Sequence, residues 1–398
     1  LMQTNIHPDL IAQPKVQEAD AILRKCVHCG FCTATCPTYQ LLSDELDGPR
    51  GRIYLIKNLL EDNTITDDSV VHLDRCLTCR ACETTCPSGV EYGRLLDIGR
   101  EIVKDHVKRP LRSRLLAFLL RLVVPRPGVF SPLLTLGRFF RPLLPAFVKR
   151  HVPVHMPVLH QVKSVMGAKV VLLSGCVQSA ATPNVVASLL KVLQHQGTNA
   201  EVLHEGCCGA LDYHLSAHEA GIQKMKAVID QLYPRIDQIE HIVSSATGCG
   251  VTIRDYPEIL QYDAEYRDKA SAIVAKLADP IEIVSSKALG VASMRVAVHT
   301  PCSMQHGLGL TGAVEKLLSD MGFDITPHKE GHLCCGSAGT YSILQPELSQ
   351  QLKARKLNVL GEGNPDVIVT ANVGCQLQLK EGANVPVMHW LELVAAHI

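Results

Sequence analysis

The sequence predicts a multidomain α+β protein, in which a small helical, metal-binding domain is followed by two α/β repeats built on parallel sheets. The chain has 398 residues, which is long for a single domain. Its sixteen cysteines form two blocks of eight, and the second block is internally duplicated. The predicted domains are the helical domain at 1–105, a basic, proline-rich linker at 106–165, and the two repeats at 166–290 and 291–398.

The composition is that of a globular chain without a charge bias. Hydrophobic residues make up 46% of the chain, which is enough to bury real cores. Basic and acidic residues number 39 each, so net charge gives no indication of a nucleic-acid partner, and none is predicted. No basic-then-apolar signal segment opens the sequence, and clustered cysteines in a reducing compartment are more often metal ligands than disulfides. We therefore expect a cytoplasmic location.

The first cysteine block contains the pattern C-x2-C-x2-C-x3-C-P twice, at 26–37 and 76–87. Three cysteines at two-residue gaps wrap one face of a cubane, and in two-cluster ferredoxins the fourth ligates the other cluster. The sequence therefore predicts two [4Fe–4S] clusters with crossed ligands. One set is Cys26, Cys29, Cys32 and Cys86, and the other is Cys36, Cys76, Cys79 and Cys82. A pair of zinc knuckles is the alternative, but zinc does not explain the third cysteine or the trailing C-P.

Between the two motifs, GPRGRIYLIKNLLEDN predicts a helix after a Gly-Pro turn. This spacer is longer than a compact bacterial ferredoxin needs and resembles the helical ferredoxin module of succinate dehydrogenase and related subunits. Two clusters on one scaffold form an electron wire. The block contains no candidate catalytic acid, base or hydride carrier, so no catalytic residue is predicted.

The stretch from His106 to Ala200 contains thirteen lysines and arginines and no acidic residue. Its first half holds short amphipathic pieces, 115–120 and 122–124, which we expect Pro125 and Pro127 to stop. No apolar run reaches the length needed to span a bilayer. Arginines beside short apolar helices suit an anionic membrane surface or an acidic partner. A packed linker with solvated basic residues is the alternative.

The second cysteine block is a duplicated domain, since its cysteines recur at offsets of 126, 127 and 126 residues. Each copy alternates apolar runs with amphipathic stretches, which predicts a parallel α/β sheet. The cysteines then lie at or just beyond the C-terminal ends of strands, where such sheets place functional groups. The candidate additional metal sites are Cys176, Cys207, Cys208 and Cys249 in the first copy, and Cys302, Cys334, Cys335 and Cys375 in the second.

These copies resemble the cysteine-rich CCG domain of heterodisulfide reductase B and D subunits, which can hold an unusual cluster. The closing C-x-x-C of that family is missing, because Thr252 and Gln378 stand where its last cysteine would be. Each copy is therefore open to three interpretations: one further cluster or zinc ion, buried free cysteines, or catalytic thiols. The nearby histidines are interpreted as surface or packed residues and not as ligands; they are His214, His218, His299 and His306.

Over nearly its whole length the chain resembles the iron–sulfur subunits of glycolate oxidase. The segments that carry the resemblance are VHCGFCTATCPTYQLLSDELDGPRGRIYLIK, RCLTCRACETTCPSGVEYGRLLDIGRE, HLCCGSAGTYSILQPEL and VTANVGCQLQL. The resemblance implies partner subunits that carry flavin (FAD) and oxidise glycolate to glyoxylate, with electrons passing through this chain to a membrane acceptor, expected to be quinone. It also implies peripheral attachment at the cytoplasmic face of the inner membrane.

Three other functions remain open from the sequence. The same architecture fits iron–sulfur subunits of glycerol-3-phosphate or lactate dehydrogenases. A catalytic subunit like that of heterodisulfide reductase would carry its chemistry at the CCG cysteines. A zinc-stabilised interaction scaffold would carry no electrons.

Overall fold

A computed structural model describes residues 2–107, 109–153, 163–286 and 294–398. The predicted fold class is confirmed, because a helical N-terminal region is followed by two α/β repeats with parallel sheets. The predicted boundary between the repeats, at 290/291, lies outside the described residues.

The N-terminal region is built from seven helices, with a 3-10 turn at Glu45–Asp47. They are α1 (Pro14–Lys25), α2 (Phe31–Ala34), α3 (Pro37–Leu42), α4 (Pro49–Asp62), α5 (Asp67–Asp74), α6 (Ala81–Thr85) and α7 (Tyr92–His106). Helix α4 is the helix predicted between the cysteine motifs, and Pro49 opens it at a position where the missing N–H costs no hydrogen bond. Apolar faces of α1, α4 and α7 form one core around Leu23, Leu59 and Leu95.

The acid-free stretch continues as α8 (Leu111–Val123) and α9 (Pro127–Phe139), a 3-10 turn at Arg141–Leu143 and α10 (Ala146–Lys149). The amphipathic pieces end where expected, because α8 ends at Val123, ahead of Pro125 and Pro127. Pro127 also begins α9, as proline often does at the first helical position, and Pro132 lies inside the same helix. Within the described residues no single helix is long and apolar enough to cross a membrane, although α8 and α9, bent by 107°, pass that test of length and composition together.

The first repeat contains a sheet with its covering helices and a 3-10 turn at Tyr233–Gln238. In chain order its elements are β1 (Val170–Leu173), α11 (Gln178–Ala181), α12 (Asn184–His195), β2 (Ala200–Leu203), α13 (Ala210–His214), α14 (His218–Leu232), β3 (His241–Ser244), α15 (Thr247–Arg254), α16 (Tyr256–Ile259), α17 (Arg267–Val274), β4 (Leu277–Ala278) and α18 (Pro280–Ile283).

The second repeat follows the same plan with a π-helical turn at Ser303–Leu308. Its elements are β5 (Arg295–His299), α19 (Ala313–Asp320), β6 (Asp324–Ile325), α20 (Tyr341–Leu344), α21 (Pro346–Gly361), β7 (Val367–Thr370), α22 (Val373–Lys380), β8 (Val387–His389) and α23 (Trp390–Ala395).

The two sheets have the same parallel topology, with strand orders β2-β1-β3-β4 and β6-β5-β7-β8. The short strands β4 and β8 form one edge of each sheet. A single core joins the repeats, because residues of both, from Val170 to Ala395, pack in one cluster. Trp390, the only tryptophan, is fully buried in this shared core, so its surroundings report on the junction of the repeats.

The N-terminal region contacts both repeats. Toward the first repeat, Arg80 Nη1 donates to Asp255 Oδ1 at 3.1 Å. Toward the second, Tyr341 Oη donates to Arg75 O at 3.1 Å, and Thr84 Oγ1 lies 2.8 Å from His306 Nδ1. The cysteine loops of the N-terminal region are therefore held against the sheet edges that carry the other cysteines.

Candidate metal centres

The first cavity of the N-terminal region is surrounded by the cysteines of one predicted crossed set. It has a volume of about 440 Å³ including its open mouth. Three of its cysteines come from the first motif and two from the second; the complete set of lining thiols is Cys26, Cys29, Cys32, Cys82 and Cys86. Ile53, Val90 and Tyr92 supply apolar walls.

The second cavity, of about 300 Å³, lies beside the first. It is lined by three cysteines of the second motif and by Cys36 of the first; the complete set is Cys36, Cys76, Cys79 and Cys82. Cys82, Pro49 and Tyr92 border both cavities, so the two sites adjoin. Four thiols around one enclosed space form the donor set that a [4Fe–4S] cubane requires, and the residues present therefore fit that group.

The two loops share an unusual backbone that turns three cysteines toward one cavity. In the first motif His28 and Gly30 have positive φ angles of 56° and 82°. In the second, Thr78 and Arg80 occupy the same places with φ angles of 53° and 60°. Non-glycine residues in this conformation cost about 1–2 kcal/mol each. Such strain persists where the surroundings hold it, and the pairing of Arg80 with Asp255 is one such restraint.

Burial changes the chemistry of these thiols. It raises the pKa of Cys32 to about 11 and holds the pKa of Cys82 well above its ordinary value. Thiols of this kind stay protonated until a metal replaces their protons, because a bare thiolate would be poorly solvated there. The cavities are thus suited to iron-bound thiolates and not to free ones.

A buried cation borders the second cavity. The Arg52 side chain is about 1% exposed and donates to His72 O at 2.7 Å and to Thr38 Oγ1 at 3.1 Å. Its counter-charge is the fully buried Asp47, 3.5 Å away, which also accepts from Arg75 at 2.9 Å. Sequence analysis did not identify Arg52, whose only signal is an arginine on the buried face of the spacer helix.

The glycine of each CCG motif has a steric role that is the same in both repeats. Gly209 has a φ of 90°, and a Cβ there would lie 2.7 Å from Gly221 O. Gly336 has a φ of 82°, and a Cβ there would lie 2.6 Å from Ser349 O. Because a backbone oxygen cannot easily move away, only glycine lets the cysteine loop pack on the following helix.

The four cysteines of each repeat form a continuous row of thiols. In the first repeat, Cys208 and Cys249 lie in one cluster, and the Cys176 and Cys208 thiols both act on the pKa of Cys207. In the second, Cys302 Sγ donates to Cys334 Sγ at 3.9 Å, and the sulfur atoms of Cys335 and Cys375 lie within 4.8 Å of each other. The cysteines lie just beyond strand ends or in the helices that follow, as the sequence indicates.

The two rows differ in their neighbours. In the second repeat a ring nitrogen of His299 and the sulfur atoms of Cys335 and Cys375 all lie within 4.8 Å of one another. His299, which the sequence analysis set aside as a ligand, is thus the histidine that joins a cysteine cluster in the described parts of the chain. The other three histidines make different contacts; His306 bonds His332 O, His218 pairs with Glu101, and His214 lies against Tyr213.

The second row also lies against the N-terminal region. Cys79, of the second cavity, and Cys302 pack on one apolar cluster with Cys334, Leu77 and Tyr341. The pKa of Cys79 is raised by burial first and then by the neighbouring Cys302 thiol. The second cavity and the second row are therefore neighbours.

Comparison with known proteins agrees with this arrangement. A family described as "4Fe-4S dicluster domain" matches residues 22–90, and one described as "Cysteine-rich domain" matches residues 170–254 and 296–380. The "Glycolate oxidase iron-sulfur subunit" of Escherichia coli is 47% identical, over 99% of this chain and 98% of the relative.

Two more distant relatives are similar over different extents. The "Probable glycolate oxidase iron-sulfur subunit" of Bacillus subtilis is 30% identical, over 90% of this chain and 89% of the relative. The "Lactate utilization protein A" of an Exiguobacterium strain is 28% identical, over 56% of this chain and 96% of the relative.

Proposed function

The chain belongs to the family of glycolate oxidase iron–sulfur subunits, and from this premise we propose that it carries electrons from glycolate oxidation toward a membrane acceptor. In the proposed complex, FAD on partner subunits oxidises glycolate to glyoxylate. This chain takes the electrons one at a time and performs no substrate chemistry itself.

The observation that supports electron transfer best is the pair of adjoining cavities, each lined by cysteines of both motifs. We propose the crossed ligand sets, with Cys26, Cys29, Cys32 and Cys86 holding one [4Fe–4S] cluster and Cys36, Cys76, Cys79 and Cys82 holding the other. A cluster, when bound, supplies a one-electron redox couple. The chain supplies the thiolates, excludes water with apolar walls, and places Arg52 beside the second site to offset its negative charge.

Serine variants of the two exchanged cysteines test the crossed sets. Cys36→Ser should remove the cluster of the second cavity although Cys36 belongs to the first motif, and Cys86→Ser should remove that of the first. Each variant of the full chain, purified without oxygen, should lose about four of the roughly eight irons that belong to the two clusters. The two variants control each other, because their electron paramagnetic resonance spectra should retain complementary signals. The assignment is contradicted if both variants lose the same signal. It is also contradicted if Cys36→Ser loses the cluster of the first cavity and Cys86→Ser loses that of the second.

The substrate is tested on the assembled complex. Glycolate should reduce the clusters of the complex, whereas lactate and glycerol 3-phosphate should reduce them at least tenfold more slowly. Faster reduction by either of those two would assign the chain to one of the related dehydrogenases.

We further propose that α8 and α9 dock the complex on the cytoplasmic face of the membrane. Their outer surface and the turn that follows, here together called the apolar foot, carry apolar side chains that are at least 40% exposed; these are Leu111, Leu115, Phe118, Leu119, Leu122, Val129, Leu133, Leu136, Phe139, Phe140 and Leu143. Exposed Arg112, Arg114 and Arg126 flank it, while Arg121 anchors α8 to Asp212 of the first repeat at 2.7 Å. Apolar side chains beside arginines fit a bilayer with anionic headgroups, from which the quinone acceptor would be reached.

Flotation with vesicles separates a membrane from a protein partner. The full chain should float with vesicles that contain anionic phospholipid and bind at least tenfold more weakly to zwitterionic ones. Leu115→Ser with Phe118→Ser should weaken anionic binding at least tenfold, because two apolar side chains lose their transfer free energy. Tyr262→Ser, at an exposed tyrosine of the first repeat, is the matched control and should bind normally. Equal flotation of the variants, or binding of the foot to the flavoprotein subunits alone, contradicts membrane docking.

A further inference from the structure

The duplicated repeats are not equivalent at the end of their first strand. Strand β1 ends at Leu173 and β5 ends at His299, 126 residues later, in the same register against the third strand. Leu173 packs in the apolar cluster that holds Cys208 and Cys249. His299 faces the corresponding pair in the second repeat, Cys335 and Cys375. The second repeat therefore has an imidazole where the first has a hydrocarbon.

The His299 imidazole is buried in a way that calls for a ligand. The residue is 1% exposed, and neither ring nitrogen has a hydrogen-bond partner among the residues that the structure describes. Burying a polar group unpaired is unfavourable, and buried side chains normally find partners. By contrast, His389 of the same repeat, also 1% exposed, is satisfied by Ser245 O and Leu391 N. His299 is thus not an ordinary core histidine.

A second difference supports a charged centre in the same place. Lys356, 2% exposed, lies seven residues after Ser349 on α21, and its Nζ donates to Glu330 O at 2.6 Å. In the first repeat Gly221 takes the place of Ser349, because it packs against the CCG glycine Gly209. Seven residues after Gly221 the first repeat has Val228 and no lysine. Lys356 interacts electrostatically with Cys334, Cys335 and Cys375. A buried ammonium beside three thiols matches a site where those thiols are deprotonated by a metal.

We propose that the second repeat binds a metal through the imidazole of His299 and the thiolates of Cys335 and Cys375. Cysteine sulfur and histidine nitrogen together form the donor sets of many zinc sites, and iron centres also accept imidazole with thiolate. Zinc and iron would both be bound here in the same way, by mixed nitrogen and sulfur ligands. The first repeat offers sulfur ligands without the nitrogen. This site is separate from the ferredoxin clusters and stands whether or not glycolate is the substrate.

The test measures metal in the full chain, purified without oxygen from cells supplied with iron and zinc. Wild type should contain metal beyond the eight irons of the two ferredoxin clusters, either about one zinc or additional iron. His299→Leu, which copies the first repeat, should lose this extra metal at least fivefold and keep the eight irons. His328→Gln is the matched control, because His328 follows the neighbouring strand and bonds Val298 O outside the thiol row. It should keep the extra metal.

X-ray absorption at the edge of the extra metal tests the ligand itself. Wild type should show imidazole back-scattering, and a zinc or an iron edge identifies which metal is bound. His299→Cys should retain the metal and replace the imidazole signal with sulfur, so the proposal is tested even if His299→Leu does not fold. Unchanged metal content and unchanged ligation in both variants would overturn the proposal, as would wild type with no metal beyond eight irons. Neither failure would affect the crossed ferredoxin assignment.

Discussion

Replacing Gly209 by alanine tests why each CCG motif ends in glycine. Gly206, three residues earlier, provides a matched control because its φ of 89° is almost the same as the 90° of Gly209. A Cβ on Gly206 would meet nothing within 4 Å, whereas one on Gly209 would lie 2.7 Å from Gly221 O and 2.9 Å from Met225 Cγ. The two substitutions therefore share the conformational penalty and differ in the steric one.

The expected cost follows from these two contributions. A left-handed alanine costs about 1–2 kcal/mol, which applies to both variants. Forcing a methyl group into a packed site adds about 1–3 kcal/mol at Gly209 alone. Gly206→Ala should thus lower the free energy of unfolding by about 1–2 kcal/mol, and Gly209→Ala by about 2–5 kcal/mol, by the sum of these terms.

Denaturant unfolding followed by Trp390 fluorescence measures the difference, since this single tryptophan is buried in the core shared by both repeats. The midpoint for Gly209→Ala should lie below that for Gly206→Ala, with an unchanged slope. Equal midpoints would refute the steric argument and leave only the backbone conformation as the reason for glycine.

Two further predictions concern stability. Burial raises the pKa of Asp279 to about 7, above its ordinary 3.8, so the folded state keeps a proton that the unfolded state releases and stability falls as pH rises between these values. As pH rises from 5 to 8, the free energy of unfolding of Asp279→Asn should therefore increase by about 2–3 kcal/mol relative to that of wild type. Denaturant unfolding followed by Trp390 fluorescence measures this, and a difference that does not change with pH would contradict the shift. Arg94, 7% exposed, pairs with Glu18 at 2.7 and 2.8 Å and bonds the first repeat through Tyr213; Arg94→Gln should cost about 2–5 kcal/mol. Hydrogen exchange should rise along α7 and α13 in the Arg94→Gln variant. The control is the exposed ion pair of Arg24 with Asp20, whose removal should lower the free energy of unfolding by less than about 1 kcal/mol.

Much of the architecture follows from local patterns. The apolar runs at 170–173 and 296–298 form strands because continuous apolar residues rich in valine suit a sheet covered on both faces. The equal offsets between cysteines predict two copies, and the identical strand orders agree. Spacing also predicts the crossed cysteine sets, because in two-cluster ferredoxins the fourth cysteine of this pattern ligates the other cluster.

Other features depend on contacts between distant segments, which spacing does not encode. In the sequence, His299 is one of several histidines that follow an apolar run. Its position beside Cys335 and Cys375 distinguishes it from His389, which bonds Ser245 O, and only the folded structure shows this. Comparing the two copies position by position would have exposed it, because Leu173 stands in its place. The prolines marked the end of α8, but the start of a second helix at Pro127 was not predicted, although proline is favoured at the first helical position.

The central claim, that this chain carries electrons away from glycolate oxidation, is tested most directly by rapid freezing of the assembled complex after mixing with glycolate. Electron paramagnetic resonance of the frozen samples should show reduced clusters forming at least as fast as turnover, with both signals present in wild type. Cys36→Ser and Cys86→Ser should each lack one of them. Clusters that stay oxidised while glyoxylate accumulates would contradict the account.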